Sequence, residues 1–210
     1  MRSKDYTMKP KELIEMFPYG YTRLRNHNGS IALTLDTPST EAFVFVERIR
    51  KNKMMPQITQ RQMDLLQVEF GKSRTVIDWF DNDDGRYFIT TQLGKNPADY
   101  RLVLNAAFGE DFFEVTGTFF EREYGFFREK IFNERYRKDL PVDAFTTQAD
   151  FTEERYDIIF PDDPLSHCRR LANVVVMNAF LPTELCSRKI ENHDNSNSES
   201  LEDNNDDNIE

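Results

Sequence analysis

Residues 100–120 of the chain read YRLVLNAAFGEDFFEVTGTFF and contain two apolar runs with a period of two. The runs cover Tyr100–Phe108 and Phe112–Phe120, and the short polar segment Gly109-Glu110-Asp111 separates them. β-Branched and aromatic residues on both sides of a short loop with glycine are typical of a β-hairpin, because such a loop lets the two runs pair as strands. We therefore expect an antiparallel sheet built around this hairpin.

Two further runs of the same composition precede the hairpin, at Thr75–Phe80 and Arg86–Leu93. The loop between them is Asp81-Asn82-Asp83-Asp84-Gly85, and Gly94–Pro97 connects the second run to the hairpin. Short polar loops with glycine join neighbouring antiparallel strands. The pattern predicts a four-stranded antiparallel meander.

The segments around the meander show mixed periodicity. Glu41–Lys51 is predicted as a helix, although Phe43-Val44-Phe45-Val46 would also suit a buried strand. Asp163 is suited to cap the helix that begins at Pro164. The predicted helices are Pro10–Phe17, Glu41–Lys51, Thr59–Phe70, Glu121–Lys138 and Pro164–Phe180, and the further strands are Ile31–Leu35 and Tyr156–Phe160. The fold class is therefore α+β, with an antiparallel β-meander of about four to six strands flanked by helices.

The charge of the chain is concentrated at its end. The net charge is -10, and residues 191–210 contain eight Asp and Glu and no Lys or Arg, which leaves -2 for residues 1–190. A segment with so few apolar side chains cannot offset its ordering entropy by burial. We expect residues 1–188 to form a single domain and residues 189–210 to be a disordered acidic tail.

Composition also restricts the partners and the compartment. An acidic chain argues against a nucleic-acid partner, because phosphate binding requires clustered Lys and Arg. No apolar run approaches the roughly 20 residues that span a bilayer, so no membrane insertion is expected. The first residues lack an apolar signal region, and two cysteines, Cys168 and Cys186, do not make a disulfide framework. These features predict a cytoplasmic protein, or one that is exported by a route that leaves no such signal.

Two acidic loops deserve a chemical interpretation. Aligning Gly85 with the glycine of a calcium-binding EF-hand places Phe80 and Thr91 at ligand positions, which excludes that motif. A hairpin turn explains the first loop better, with Asp and Asn bonding their own backbone and Gly85 at positive φ. The alternative is a metal-assisted hydrolase in which both loops converge on Mg²⁺ or Mn²⁺. Its ligands would be Asp81, Asp83, Asp84, Asp162 and Asp163.

No pattern in the chain indicates catalysis. The three histidines are His27, His167 and His193, and His167 adjoins Cys168. Neighbours in a helix point about 100° apart, so these two side chains make a poor nucleophile and base. Cys168 lies on the apolar stripe of its helix and is predicted to be a core residue. We predict no catalytic residue, no metal ligand and no cofactor.

Three phenylalanine pairs are the candidate partner-binding residues. Adjacent residues of a strand point to opposite faces, so each pair places an aromatic ring on both sides of the sheet. One interpretation is a sheet covered by helices on both faces, or a buried helix junction. The other is that one face stays open and docks a protein partner. The six residues are Phe112, Phe113, Phe119, Phe120, Phe126 and Phe127.

An antiparallel sheet flanked by helices, acidic overall and without a catalytic set, resembles the small chaperone and adaptor proteins of type III and type IV secretion systems. The meander Thr75–Phe120 and its flanking helices carry this resemblance. It implies a non-catalytic cytosolic adaptor or chaperone that holds a segment of a protein partner. The alternatives are the metal-assisted hydrolase and an acidic immunity or inhibitor protein that covers a basic face of its target.

Overall fold

The computed structural model describes residues 8–27, 30–57, 59, 61, 74–92, 99–122, 128–135 and 151–180. These residues form an α+β structure with a seven-stranded antiparallel sheet. The strands are β1 (Tyr21–His27), β2 (Ser30–Asp36), β3 (Thr40–Ile49), β4 (Thr75–Asp81), β5 (Gly85–Thr91), β6 (Asp99–Phe108) and β7 (Asp111–Glu121). The α-helices are α1 (Pro10–Glu15), α2 (Arg128–Arg135) and α3 (Pro164–Phe180), and short 3-10 helices span Lys51–Lys53 and Glu154–Tyr156.

The strand order is β1-β2-β3-β7-β6-β5-β4, which joins two meanders. The predicted meander is confirmed as β4 to β7. A second meander, β1 to β3, pairs with it through β3 and β7, from Thr40 opposite Glu121 to Ile49 opposite Phe112. The sheet is therefore larger than the predicted four to six strands, and β3 and β7 lie near its middle.

The predicted helix Glu41–Lys51 is wrong, because this segment belongs to β3. Burial alternates along it, with Thr40, Ala42, Val44 and Val46 in the interior. A helix would place these four side chains on different sides, whereas a strand places all of them on one face. Alternating burial of the side chains therefore favours a strand over a helix in this segment.

Two other boundaries differ from the prediction. β7 continues to Glu121, and the helix predicted from that residue begins at Arg128. The predicted strand Tyr156–Phe160 instead forms the end of a 3-10 helix followed by turns. The carbonyls of Glu154 and Tyr156 accept hydrogen bonds from amides three or four residues along the chain, as in helical turns. The carbonyls of Phe151 and Glu153 and the carboxylate of Asp157 accept hydrogen bonds from Arg128. The predicted helix Thr59–Phe70 and the predicted acidic tail lie outside the described residues, apart from positions 59 and 61.

Helix α3 covers one face of the sheet, which we call the inner face. It lies mainly against β6 and also contacts β5, β7 and β3. The predicted apolar stripe is confirmed, with Cys168 among its buried residues. The buried residues of this layer include Leu102, Leu104, Val115, Phe119, Leu165, Leu171 and Val175.

Within the described part of the chain, no helix combines the length and apolar character needed to cross a membrane.

Two glycines allow this close packing. A Cβ on Gly117 of β7 would lie 2.8 Å from the buried ring of Phe119. A Cβ on Gly85 would lie 3.2 Å from Val176 of α3. The positive φ predicted for Gly85 is not found, since among the described glycines only Gly20 and Gly109 have one. Gly85 thus allows a close approach to the helix, and the turn does not use a positive φ at this position.

Candidate protein-binding surface

The face of the sheet opposite α3, which we call the outer face, carries exposed aromatic rings. Phe43 and Phe45 of β3 point to it because their neighbours Ala42, Val44 and Val46 point inward. Phe43 is 38% exposed and Phe45 is 52% exposed. Both lie on a strand near the middle of the sheet, where large apolar side chains are normally covered. This exposure makes β3 the centre of the candidate surface.

The neighbouring strand β7 extends the aromatic character. Directly paired residues of antiparallel strands point to the same face. Phe120 lies opposite Glu41, and Phe112 lies opposite Ile49, so both phenylalanines belong to the outer face. The rings of Phe43 and Phe120 pack edge to face, with centroids 6.5 Å apart. We call Phe43, Phe45, Phe112 and Phe120 the outer aromatic surface.

The structure divides the six predicted partner-binding residues. Phe113 and Phe119 are 0% exposed and belong to the core beneath α3, so they present no surface to a partner. Phe112 and Phe120 are half-buried on the outer face. Phe126 and Phe127 lie outside the described residues.

Phe43 and Phe45 were missed because their segment was predicted to be a helix. The signal that could have found them is the run of aromatic and β-branched residues Phe43-Val44-Phe45-Val46, which also suits a strand.

On β3, one acidic residue lies on each side of Phe43 and Phe45, and each of these acids is directly opposite another acidic residue. Asp36 of β2 pairs with Glu41 of β3, and Glu47 of β3 pairs with Glu114 of β7. Like charges in directly opposed positions destabilise a sheet. The first pair is partly compensated by an ion pair between Asp36 and Arg122. For the second pair, Asn105 Nδ2 donates a hydrogen bond of 3.4 Å to Glu114 Oε2. Phe43 and Phe45 are thus flanked along β3 by negative charge.

The β5 and β6 side of the outer face is occupied by a polar network. Arg86 Nη1 donates to the carbonyl of Met55 at 2.7 Å, and the Met55 amide donates to Asn105 Oδ1. At the other end of these strands, the guanidinium of Arg74 reaches Asp99 at 3.3 Å. These polar groups already bond to one another, so they are not free to bind a partner. The exposed aromatic rings of the outer face lie on β3 and β7.

The first acidic loop is a turn that satisfies its own backbone, as predicted. Asn82 Oδ1 accepts hydrogen bonds from the amides of Asp84 at 3.0 Å and Gly85 at 2.6 Å. The carboxylate of Asp81 lies 3.5 Å from Arg86. Asp83 accepts a hydrogen bond of 3.2 Å from Gln57. The loop therefore acts as a connection between β4 and β5.

The second acidic loop begins α3, and its two carboxylates have separate roles. Asp163 Oδ1 accepts a hydrogen bond of 2.9 Å from the Leu165 amide, which confirms the predicted cap. Burial raises the pKa of Asp163 to about 6, against the lowering influence of nearby Arg128. Asp162 lies 3.0 Å from His167 Nε2 and accepts a 3.1 Å hydrogen bond from the Ser39 amide. Both groups thus fasten the start of α3.

The two acidic loops do not converge. Gly85 of the first loop lies beside Val176, twelve residues along α3 from its start at Pro164. At 1.5 Å per residue, this places the loops about 18 Å apart along the helix axis. Within the described residues, no group of three or more His, Cys, Asp or Glu could hold a metal ion. The arrangement required by the metal-assisted hydrolase is therefore not formed by these five aspartates.

Cys168 and Arg169 of α3 also lack the features of a reactive or ligand-binding site. Burial raises the pKa of the Cys168 thiol well above its usual value, which opposes formation of a nucleophilic thiolate. A cleft of about 520 Å³ lies between the Glu154–Tyr156 helix and α3. Its Arg169 is already bonded to Asp78 at 2.7 Å and to Asp157 at 3.2 Å. The outer aromatic surface therefore remains the best candidate site.

No protein-family model, curated protein or solved structure gives a significant match to this chain.

Proposed function

We propose that this protein is a non-catalytic protein-interaction module, a cytosolic adaptor or chaperone that holds a segment of a protein partner on its outer aromatic surface. The observation that supports the proposal is the exposure of Phe43 and Phe45 in the middle of the sheet. The proposal is also supported by the sequence, in which no catalytic motif is recognisable. The resemblance to the chaperones of type III and type IV secretion systems suggests that the partner takes part in secretion.

The two exposed rings can supply part of the binding free energy. Covering the exposed parts of two phenylalanines removes about 180 Å² of apolar surface from water, worth roughly 4 kcal/mol before the costs of association. Interfaces commonly depend on a few such aromatic anchors surrounded by polar residues. Thr116 of β7 lies opposite Phe45 and provides part of such a polar surrounding.

Site-specific photo-cross-linking tests the proposal. A photoreactive phenylalanine analogue is placed at position 45 or, as a matched control, at Met177 of α3, which is 60% exposed. We expect the analogue at position 45 to capture a defined protein in native cells and the analogue at position 177 to leave it uncaptured. Phe45→Thr should weaken co-purification of that protein, whereas Met177→Gln should not. Equal capture from both positions, or no effect of Phe45→Thr, would contradict the proposal.

The acidic immunity or inhibitor protein remains a second candidate function. The two like-charged pairs on either side of Phe43 and Phe45 favour it, because they would complement a basic face of a target. The identity of the cross-linked protein separates the two functions. A toxic enzyme whose activity falls on binding indicates an inhibitor, and a partner that keeps its activity indicates an adaptor.

A further inference from the structure

We propose that the occupant of the outer aromatic surface is an amphipathic helix with a basic residue near each end of its apolar stripe. This inference rests on the proposed function and specifies the partner class. It combines two features of one strand: the exposed rings of Phe43 and Phe45, and the acidic residues Glu41 and Glu47 that flank them.

The negative charge of the two acidic pairs is at most partly balanced within the described chain. Glu47 lies opposite Glu114, and Glu41 lies opposite Asp36. Within the described residues, neither Glu41 nor Glu47 takes part in an ion pair, and Arg122 pairs with Asp36 alone. A cation from a partner would sit between the carboxylates of Glu47 and Glu114 and remove the repulsion between them. At the other pair a cation would meet Glu41, because Asp36 already pairs with Arg122. Each acidic pair is thus a place for a Lys or Arg.

The spacing of the acidic residues matches a short helix. Glu41 and Glu47 are six residues apart on β3, which corresponds to about 20 Å at 3.3 Å per residue. A helix covers that distance in about 13 residues at 1.5 Å per residue. Two or three apolar side chains at intervals of three and four would then contact Phe43 and Phe45 between the two basic residues.

A helix suits this position better than a strand. The surface is a sheet face, whose backbone hydrogen bonds are already made to β2 and β7, so an added strand would find no ladder there. A helix satisfies its own backbone groups and packs on a sheet through side chains alone. A second copy of this chain would bring acidic pairs against acidic pairs, and an anionic membrane would be repelled in the same way.

Fluorescence anisotropy with three synthetic helical peptides tests the inference on the full chain. The peptides share one stripe of leucines and carry Lys, Gln or Glu at both ends. We expect the Lys peptide to bind at least tenfold more tightly than the Gln peptide, and the Glu peptide to bind weakest. Glu47→Gln should weaken the Lys peptide severalfold and leave the Gln peptide unchanged. Glu154→Gln, which removes an equal charge on the α3 side, is the control.

The outcomes separate this inference from the proposed function. Equal affinities for the three peptides, lowered together by Phe45→Thr, would overturn the basic-ended helix but support docking on the aromatic rings. An unchanged preference for the Lys peptide in the Glu47→Gln and Glu41→Gln variants would also overturn it. The basic residues of the peptide would then be bound by other acidic groups, for example those of the C-terminal residues. Failure of all three peptides to bind would overturn the inference, and the cross-linking experiment would still decide the proposed function.

Discussion

The carboxylate of Asp163 lies 3.5 Å from the guanidinium of Arg128, and both side chains are almost fully buried. Burial nevertheless dominates the titration of the acid and raises the pKa of Asp163 from 3.8 to about 6. The folded protein therefore holds this proton more tightly than the unfolded chain. The buried carboxylate is tolerated because it caps α3 and faces Arg128.

This raised pKa makes stability depend on pH with a definite sign. Between pH 4 and pH 6 the folded state binds more protons at Asp163 than the unfolded state, so this group lowers the free energy of unfolding as pH rises. The loss is on the order of 2 to 3 kcal/mol. Asp163→Asn keeps the cap but cannot ionise, so its stability relative to the wild type should increase across that range. Urea unfolding at pH 4.5, 5.5 and 7 measures the difference.

Asp162 provides a neighbouring control of opposite sign. Its burial raises its pKa, but hydrogen bonds from His167, Thr37 and Ser39 outweigh burial and leave the pKa below 3.8. Its contribution to stability is therefore present above pH 3.8 and is lost as pH falls through its folded-state pKa. Asp162→Asn should thus lower stability at pH 7. Identical pH trends for the two variants would contradict this assignment.

Among the described polar residues, we expect substitution of Arg128 to lower the stability of the protein most. Its guanidinium donates to the carbonyls of Phe151 at 2.6 Å and Glu153 at 2.8 Å, and to Asp157 at 2.7 Å. Lysine keeps the charge but lacks the planar set of donors that reaches all three acceptors. Arg128→Lys should therefore destabilise the protein by about 3 kcal/mol, the cost of disrupting a buried charged network.

The exposed Arg155 is the matched control for that substitution. It pairs with Glu153 at 2.8 Å on the surface, where an ion pair contributes little. Arg155→Lys should change the free energy of unfolding by less than about 0.5 kcal/mol in the same urea titration. Equal effects of the two substitutions would show that the network around Arg128 does not stabilise the fold.

Alanine substitutions of the adjacent residues Phe112 and Phe113 should have different effects. The substitution of Phe113 should mainly lower stability, and that of Phe112 should mainly weaken binding. Phe113 is 0% exposed beneath α3, so Phe113→Ala should cost about 3 to 5 kcal/mol. Phe112 is half-buried on the outer face, with Lys51 Nζ 5.9 Å from its ring centroid. Phe112→Ala should cost about 1 kcal/mol or less and should weaken capture by the outer aromatic surface. Thermal unfolding and co-purification of both variants measure the two effects, and a severe loss of stability in Phe112→Ala would be inconsistent with this placement.

Much of the fold was predictable because its signals are local. The alternation in β4 to β7 and the capped helix α3 were visible from consecutive residues. The pairing of β3 with β7 joins segments about 70 positions apart, and no local pattern specifies which strands meet. The faces of Phe112 and Phe113, and of Phe119 and Phe120, depend on where α3 packs. The sequence could show that one ring of each of these two pairs points inward but not which one.

The buried charges were also beyond sequence reasoning. Asp163 was predicted as a cap, but its proximity to Arg128 depends on a contact across 35 residues. Asp157 bonds to both Arg128 and Arg169, and none of these three residues stands in a recognisable motif. Such networks are specified by packing in three dimensions, where each polar group must find a partner on burial.

The acidic C-terminal residues give a final prediction about solubility and stability. Residues 191–210 contain eight acids and almost no apolar side chain, so a chain ending at residue 190 should unfold within about 0.5 kcal/mol of the full chain. Its formal charge falls from -10 to -2, so its solubility near neutral pH should decrease. A full-length variant with all eight acids changed to Asn or Gln is the control, and it should be as poorly soluble as the shortened chain because charge is the cause. Melting curves and precipitation by ammonium sulfate measure both properties. A melting temperature lowered by more than a few degrees in the shortened chain would show that these residues stabilise the domain by packing.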